Sequence, residues 1–319
     1  MRTFQLWFLI FPFLHLQVLA LNISASASTI EHTPLRYAGN HYYDADVVTV
    51  INGSIANLQD TSIDLAANAV TQGLKYYVNN TNYRLIGIVV EVAYRLVANK
   101  AAGITKLADL RGKRIGVVPG TSSEVFVHKL LASAGVSDGY TIVNGTYCLR
   151  EPCASNSLPV QFGNGTVDAF GAWEPSVELG VRALGVDNVI LFENATAYRE
   201  VYSLYSTKEK LRDPHTRQKI VKYIRALDRT YQVYKATPEK VDHWVAQTVG
   251  VDLPVLRSVW KNHVWGPGRL DKALVDFIQH EDEYLARVDK RRPFTRAELE
   301  RFVDTSVYKE ARRASVKQA

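Results

Sequence analysis

The stretch Gly120-Thr121-Ser122-Ser123 combines residue types that suit a polar ligand. It follows the apolar run of residues 114–118, which predicts a buried strand, and it precedes a segment with helical periodicity. Serine and threonine are good helix N-caps whether or not anything binds. A helix N-terminus beyond a strand also offers N–H donors to an anion. Thr121, Ser122 and Ser123 are therefore either caps or contacts for an anionic or polar ligand, and both interpretations stay open.

The motifs of common catalytic sites are absent from the sequence. It contains no His-Glu-x-x-His pair and no close Cys/His spacing, which argues against a zinc enzyme. It also lacks a Gly-x-Ser-x-Gly elbow, a phosphate-binding Gly-x-x-x-x-Gly-Lys loop and a dinucleotide fingerprint. We therefore expect no catalytic residue, no metal and no cofactor.

The first twenty residues have the pattern of a secretory signal peptide. Arg2 supplies a positive charge, an apolar run from Phe4 to Leu21 follows, and Val18-Leu19-Ala20 offers small residues for cleavage. The alternative is a signal anchor, although the run is short for a spanning helix. We predict a signal peptide over residues 1–20.

Two further features agree with export. Asn-x-Ser/Thr sequons, the acceptors of N-glycosylation, occur six times. They lie at Asn22, Asn52, Asn79, Asn144, Asn164 and Asn194. The polar C-terminal segment shows no lipid-anchor pattern. The sequence thus predicts a secreted, extracellular glycoprotein with no stable membrane anchor.

Cys148 and Cys153 are the two cysteines of the chain. In an exported protein, a local disulfide is the expected state of such a pair, and free thiols are the alternative. Because the bridge closes a short loop, its stabilising effect should be modest.

Composition limits the remaining possibilities. The chain has 319 residues, which corresponds to one large domain or two of medium size. Hydrophobic residues make up 47% and charged residues 22%, as in ordinary globular proteins. The net charge of +6 is too low for a nucleic-acid-binding protein but allows an anionic ligand.

Hydrophobic periodicity divides the chain into an α/β part and a mostly helical part. We expect residues 21–33 to be a flexible leader, residues 35–39 to be a short strand and residues 40–43 to be the loop after it. Further strands are predicted near residues 63–66, 85–92, 114–118, 141–143, 167–172 and 189–192. After about residue 205 the pattern is helical, with a capping box at Thr295 to Glu298.

Several motifs, in order, resemble those of one protein family. Residues 103–117, GITKLADLRGKRIGV, resemble a signature of type II periplasmic binding proteins, in the branch that binds nitrate, taurine and sulfonates. Gly120 to Ser123, Gly165 to Ala169 and Trp173-Glu174-Pro175 follow in the family's order. The fungal thiamine-pyrimidine synthases share this fold, and the similarity extends over nearly all of residues 34–313.

This resemblance implies an α/β fold of two lobes that close on a small ligand, with a mostly helical C-terminal part. Lobe one would contain residues 34–100 and 196–319, and lobe two residues 101–195. Ligand contacts from lobe one would then come from residues just after its strands, namely His41, Tyr42, Asn68 and Gln72. In lobe two, Trp173 and Glu174 would join Thr121, Ser122 and Ser123.

The resemblance favours a solute-binding protein of the sulfonate, nitrate and taurine type, without catalysis. An enzyme related to the thiamine-pyrimidine synthases is one alternative, although the sequence lacks their cysteine-rich cluster. A secreted interaction protein that kept only the fold is another. Family members usually serve a bacterial importer in solute transport, and a secreted glycoprotein has no obvious importer. We expect a monomer with a small polar or anionic ligand and no nucleic-acid partner.

Overall fold

The structure is a computed structural model that describes residues 20–44, 47–266 and 270–316. Of the predicted signal peptide, residues 1–19 lie outside the described part. The strands are β1 (Leu21–Ala25), β2 (Val48–Asn52), β3 (Leu65–Ala69), β4 (Tyr83–Val92), β5 (Arg95–Asn99), β6 (Arg114–Val117), β7 (Thr141–Asn144), β8 (Ala169–Ala172), β9 (Val189–Phe192), β10 (Glu200–Thr207) and β11 (His263–Trp265).

Helices cover the faces of the sheets and dominate the C-terminal part. They are α1 (Thr33–His41), α2 (Val70–Asn79), α3 (Ser122–Ser133), α4 (Leu158–Gly163), α5 (Ser176–Leu184), α6 (Lys208–Arg212), α7 (Pro214–Ala236), α8 (Asp242–Val249), α9 (Leu253–Val259), α10 (Lys272–Val288), α11 (Arg296–Phe302) and α12 (Ser306–Val316). None of the helices in the described ranges is long and apolar enough to cross a membrane.

The described strands form two sheets, which confirms the predicted two-lobed α/β fold. The first sheet has the order β11-β4-β10-β3-β1-β2, and the second has the order β7-β6-β8-β5-β9. In the first sheet β1 runs parallel to β2 and β3, and in the second β6 runs parallel to β7 and β8. The chain crosses between the sheets at residues 93–94 and again at residues 193–199.

These crossings place the lobe boundary earlier than the sequence suggested. Strand β5 pairs with β8 and β9, so the second sheet already begins at Arg95 rather than at residue 101. Strand β10, which was not anticipated, lies between β3 and β4 in the first sheet. All eight of its residues are buried, so it shows no alternating pattern that would mark a strand.

The prediction of a flexible leader at residues 21–33 is wrong. Residues 21–25 form β1, which lies between β2 and β3, and Leu21 and Ile23 are fully buried. Small residues are favourable here because the backbone is crowded: the Ser24 hydroxyl donates to the Ser54 carbonyl, and a Cβ on Gly53 would lie 2.3 Å from Ser24 Oγ. The small, polar composition therefore reflects close packing and not disorder.

The predicted strand at residues 35–39 is also wrong, because these residues lie in α1. Pro34 occupies the first turn, where its missing N–H costs no hydrogen bond. Leu35 and Ala38 are fully buried, and the Tyr223 hydroxyl of α7 donates to the Leu35 carbonyl. The predicted loop at residues 40–43 is accordingly, in part, the end of this helix.

Cys148 and Cys153 form the predicted disulfide. The loop that they close is attached to lobe two through Ser176 at the start of α5. The Cys148 N–H donates to Ser176 Oγ, and the Ser176 hydroxyl donates to the Cys148 carbonyl. The disulfide loop therefore has a defined position beside the gap between the lobes.

Candidate ligand-binding cleft

A cavity of about 310 Å³ lies between the two lobes. It is located where parallel strands end: β1, β2 and β3 of the first sheet and β6 and β8 of the second. Open α/β sheets bind ligands at this edge because loops and helix N-termini converge there. The lining residues are Ser26, Thr29, His32, Gly53, Ser54, Ala67, Asn68, Ala69, Gln72, Gly120, Thr121, Ser122, Tyr147, Trp173 and Tyr202.

His32 is the most informative of these side chains. It is 4% exposed, and its Nδ1 accepts a hydrogen bond of 2.9 Å from the Ser26 N–H. A neutral imidazole with an accepting Nδ1 carries its proton on Nε2. That Nε2 is buried and has no hydrogen-bond partner among the described residues. His32 therefore provides an unused N–H donor at the wall of the cleft.

Burial also fixes the charge of His32. Loss of solvation, with a smaller contribution from the nearby Arg36 charge, lowers the pKa of His32 to about 3. The ring is therefore neutral at physiological pH. It can donate one hydrogen bond through Nε2, but it is not a proton acceptor suited to general-base catalysis near neutral pH.

Two further polar atoms at the cleft lack partners within the described ranges. The indole Nε1 of Trp173, which can only donate, and the hydroxyl of Thr29 are both buried without a hydrogen bond. Trp173 is 8% exposed, and its ring lies 5.1 Å from that of Tyr147. Because an unpaired buried donor costs free energy, these atoms favour a bound group that accepts hydrogen bonds.

Two helix N-termini add to this donor-rich environment. Helix α2 begins directly after β3, and Thr121 caps α3 by accepting the Ser123 N–H. Both N-termini face the edge of the sheets at which the cleft lies, where their dipoles favour negative charge. None of the cleft-lining residues is Asp, Glu, Lys or Arg. The cleft thus offers hydrogen-bond donors without a carboxylate that would repel an anion.

Hydrogen bonds across the cleft connect the lobes. Gln72 Nε2 and Lys75 Nζ of α2 both donate to the Gly120 carbonyl, at 3.2 and 3.0 Å. At the base of the cleft, the Tyr94 hydroxyl lies 3.1 Å from Ser122 Oγ and 2.9 Å from the Tyr202 hydroxyl. These contacts describe a closed arrangement of the lobes, with Tyr94 at the first crossing.

Glu200 lies at the second crossing, beneath α2. Its Oε1 accepts the Val70 N–H at the start of that helix, and its Oε2 accepts the Tyr198 hydroxyl at 2.5 Å. Burial is the main cause that raises the pKa of Glu200 to about 8, and the nearby Glu281 charge acts in the same direction. A protonated Glu200 adds no negative charge at the base of the cleft at mildly acidic pH.

The structure brings several of the predicted ligand residues together. Asn68 and Gln72 of lobe one and Thr121, Ser122 and Trp173 of lobe two all line the same cavity. Thr121 Oγ1 accepts the Ser123 N–H as the cap of α3, so the expected capping role coexists with its place at the cleft.

Four predicted residues lie outside the cleft. His41 and Tyr42 are at the carboxyl end of α1, where His41 stacks on Tyr37 with the ring centres 4.1 Å apart. Ser123 is fully buried, and its hydroxyl accepts the Val118 N–H and donates to the Gly171 carbonyl.

Glu174 is the fourth residue, and it has a structural role. Its carboxylate accepts a hydrogen bond of 2.6 Å from Arg95 Nε and another from the Glu178 N–H. It is 1% exposed, and burial raises its pKa although Arg95 opposes that shift. Because Arg95 balances its charge, Glu174 presents no uncompensated negative charge to an anionic ligand.

Sequence reasoning missed the N-terminal contribution to the cleft. Ser26, Thr29 and His32 follow β1 directly, as the Thr121 segment follows β6. The apolar residues Leu21 and Ile23, followed by a Ser-rich turn, could have indicated this strand. The prediction of a flexible leader over the same residues excluded that interpretation. Tyr147 and Tyr202 were also missed, because their place depends on the disulfide loop and on β10.

A metal site needs several ligating side chains close together. No group of three or more His, Cys, Asp and Glu side chains in the described ranges could hold a metal ion, and the two cysteines are joined to each other.

Comparison with known proteins agrees with this fold. Residues 83–241 match the model of the NMT1/THI5-like family. The alkanesulfonate-binding protein SsuA from Xanthomonas axonopodis pv. citri, bound to MOPS, superposes with a TM-score of 0.69 at 16% identity, over 90% of this chain and 98% of its own. The chain has the type II periplasmic-binding-protein-like fold. No curated protein matches its sequence.

Two other structures with this fold show how varied its uses are. A putative sulfonate-binding SsuA from Methylobacillus flagellatus KT has a TM-score of 0.71 at 15% identity, over 92% of this chain and 94% of its own. The desulfurization enzyme DSZB has a TM-score of 0.60 at 14% identity, over 93% and 99%. At such identities the similarity establishes the fold, and the function has to be argued from the cleft.

Proposed function

We propose that this protein is a secreted solute-binding protein that holds a small anionic head group, of the sulfonate type, in the interlobe cleft without chemical change. The observation that carries the proposal is the unpaired Nε2–H of His32 at the cleft wall. A sulfonate presents three acceptor oxygens, which suits the donors of His32 and Trp173. A neutral pyrimidine would need acceptors from the protein as well as donors.

A titration of short anions tests this proposal. At a hundredfold excess over its dissociation constant, a ligand of the folded state adds about 2.7 kcal/mol to the free energy of unfolding. We expect ethanesulfonate to raise the melting temperature and to give a calorimetric isotherm, and uracil to do neither. Failure of every sulfonate tested would contradict the proposal and favour an interaction protein.

Catalysis is the second candidate, since one structure of this fold is the enzyme DSZB. Mass spectrometry of a bound sulfonate after prolonged incubation distinguishes the two. We expect the ligand to be recovered unchanged, because the cleft offers donors and a histidine whose pKa is about 3. Release of sulfite or of a desulfonated product would establish an enzyme instead.

Secretion from a eukaryotic host predicts that exposed sequons carry glycans. The side chains of Asn52, Asn79, Asn144 and Asn164 are exposed, as a glycan acceptor requires. Asn22 differs, because it lies in β1 and its Nδ2 donates to the Ser62 carbonyl at 2.9 Å. In a eukaryotic host we expect a mature chain that begins near Leu21, glycans at exposed sequons and an unmodified Asn22. Glycopeptide mapping checks this, and a cytosolic product with an intact N-terminus would contradict it.

A further inference from the structure

A second cavity, of about 500 Å³, lies beside the cleft, and we call it the side groove. Lobe two contributes the disulfide loop to it, from Tyr147 to Ala154. Lobe one contributes Ala27, Ser28 and the carboxyl end of α8, Gln247 to Gly250. Like the cleft, the side groove therefore lies between the lobes, so one closing movement covers both cavities.

The side groove and the cleft share a wall. Tyr147 lines both cavities. The turn after β1 does the same, since Ser26 and Thr29 face the cleft while Ala27 and Ser28 face the side groove. Tyr147 is 48% exposed and packs on Trp173, so its ring stands between the donor-rich cleft and the side groove.

The chemistry of the side groove differs from that of the cleft. Its surface includes apolar groups from Ala27, Leu149, Pro152 and Val249 and the Cys148–Cys153 disulfide. The polar side chains of Ser28, Gln247 and Thr248 complete it without a carboxylate. Arg150 packs against Gly250, which ends α8 with a φ of +71°, and a cation there is favoured by the helix dipole. Arg150 is exposed and places its charge at this helix end, so the apolar remainder of the side groove is suited to an uncharged group.

We propose that the natural ligand is elongated, with its anionic head in the cleft and an uncharged aliphatic or aryl tail in the side groove beyond Tyr147. This inference rests on the proposed function and specifies its ligand. The cleft alone is at the small end of the range for ligand pockets, which begins at about 300 Å³. A tail in the side groove would also contact both lobes and stabilise their closed arrangement.

Linear 1-alkanesulfonates from methane- to octanesulfonate test this proposal by calorimetry on the full secreted chain. Burial of each methylene in the side groove should tighten binding about fourfold once the tail passes Tyr147. Gln247 is an exposed residue of α8 that lines the side groove, and the indole of a Gln247→Trp variant would fill it. In this variant we expect the gain in affinity with chain length to be lost and the affinity for methane- and ethanesulfonate to be kept. Gln218→Trp, on the exposed face of α7, is the matched control and should keep the full dependence on length.

The outcomes separate this inference from the proposed function. Short sulfonates that bind with an affinity that does not grow with chain length would overturn the tail site alone. The same holds if Gln247→Trp and the wild type show the same dependence on length. If no sulfonate of any length binds, both proposals are overturned. Equal weakening of short and long ligands by Gln247→Trp would show that the side groove is part of the head site, which also overturns the inference.

Discussion

Replacing His32 by alanine is expected to weaken the binding of ethanesulfonate by about 10- to 100-fold, the range for one hydrogen bond to a charged group. The imidazole Nε2–H has no partner in the described part of the protein, and the Ser26 N–H fixes the tautomer that makes it a donor. Because the ring is preorganised, little conformational entropy is lost when the ligand binds. Calorimetric titration of the folded variant measures the effect.

Two variants control this experiment. His41→Ala removes an exposed histidine at the end of α1, outside the cleft, and should leave the affinity unchanged. His32→Gln keeps an N–H donor of similar reach and should recover part of the affinity. A His32→Ala variant that melts earlier but binds normally would assign His32 a structural role only. Since its pKa is about 3, His32 stays neutral, and acidification from pH 8 to pH 5 should not strengthen binding through this residue.

Replacing Glu200 by glutamine is expected to change how stability depends on pH. In the folded protein the pKa of Glu200 is about 8, whereas the unfolded value is close to 4.5. Between these values the folded state retains a proton that the unfolded state has lost, so the free energy of unfolding falls as the pH rises. From pH 5 to pH 8 this one residue should reduce the stability by about 3 kcal/mol.

The Glu200→Gln variant should not show this decrease. The difference in the free energy of unfolding between the variant and the wild type should therefore shift in favour of the variant as the pH rises from 5 to 8. His32 acts in the opposite direction at lower pH, because its depressed pKa makes stability fall as the pH drops below about 6.5. Denaturant melts of both proteins at several pH values isolate Glu200 by difference. Glu283→Gln, on the exposed side of α10, serves as the matched control. Parallel pH profiles for the wild type and Glu200→Gln would contradict the prediction.

The sequence predicted those parts of the fold in which local signals agree with tertiary contacts. Strand β6, the cap at Thr121 and helix α3 follow one another with a clear apolar run, a cap and a periodic face. The capping box at Thr295 and Glu298 is another example, with both of its hydrogen bonds present. In each case a few neighbouring residues determine the structure, so a single sequence is sufficient.

Other parts depend on contacts that no local pattern reveals. Strand β1 is a strand because β2 and β3 flank it, and its Asn22-Ile23-Ser24-Ala25 sequence alone resembles a polar linker. The tautomer of His32 depends on the Ser26 N–H. The charge of Glu174, beside the cleft, is balanced by Arg95, which is 79 residues away in the sequence. Contacts of this kind explain why four of the predicted ligand residues lie outside the cleft, namely His41, Tyr42, Ser123 and Glu174.

The two crossings between the sheets also determine the order in which the chain can fold during synthesis. Lobe two is continuous from Arg95 to Phe192, so it has all its strands once that segment has emerged. Lobe one is interrupted, because β4 and β3 acquire the intervening strand β10 only after lobe two has been made. At a synthesis rate of about 5–20 residues per second, the edges of β3 and β4 that pair with β10 stay unpaired for several seconds or more. The insertion of one lobe into the other therefore leaves these strand edges unpaired until lobe two has been synthesised.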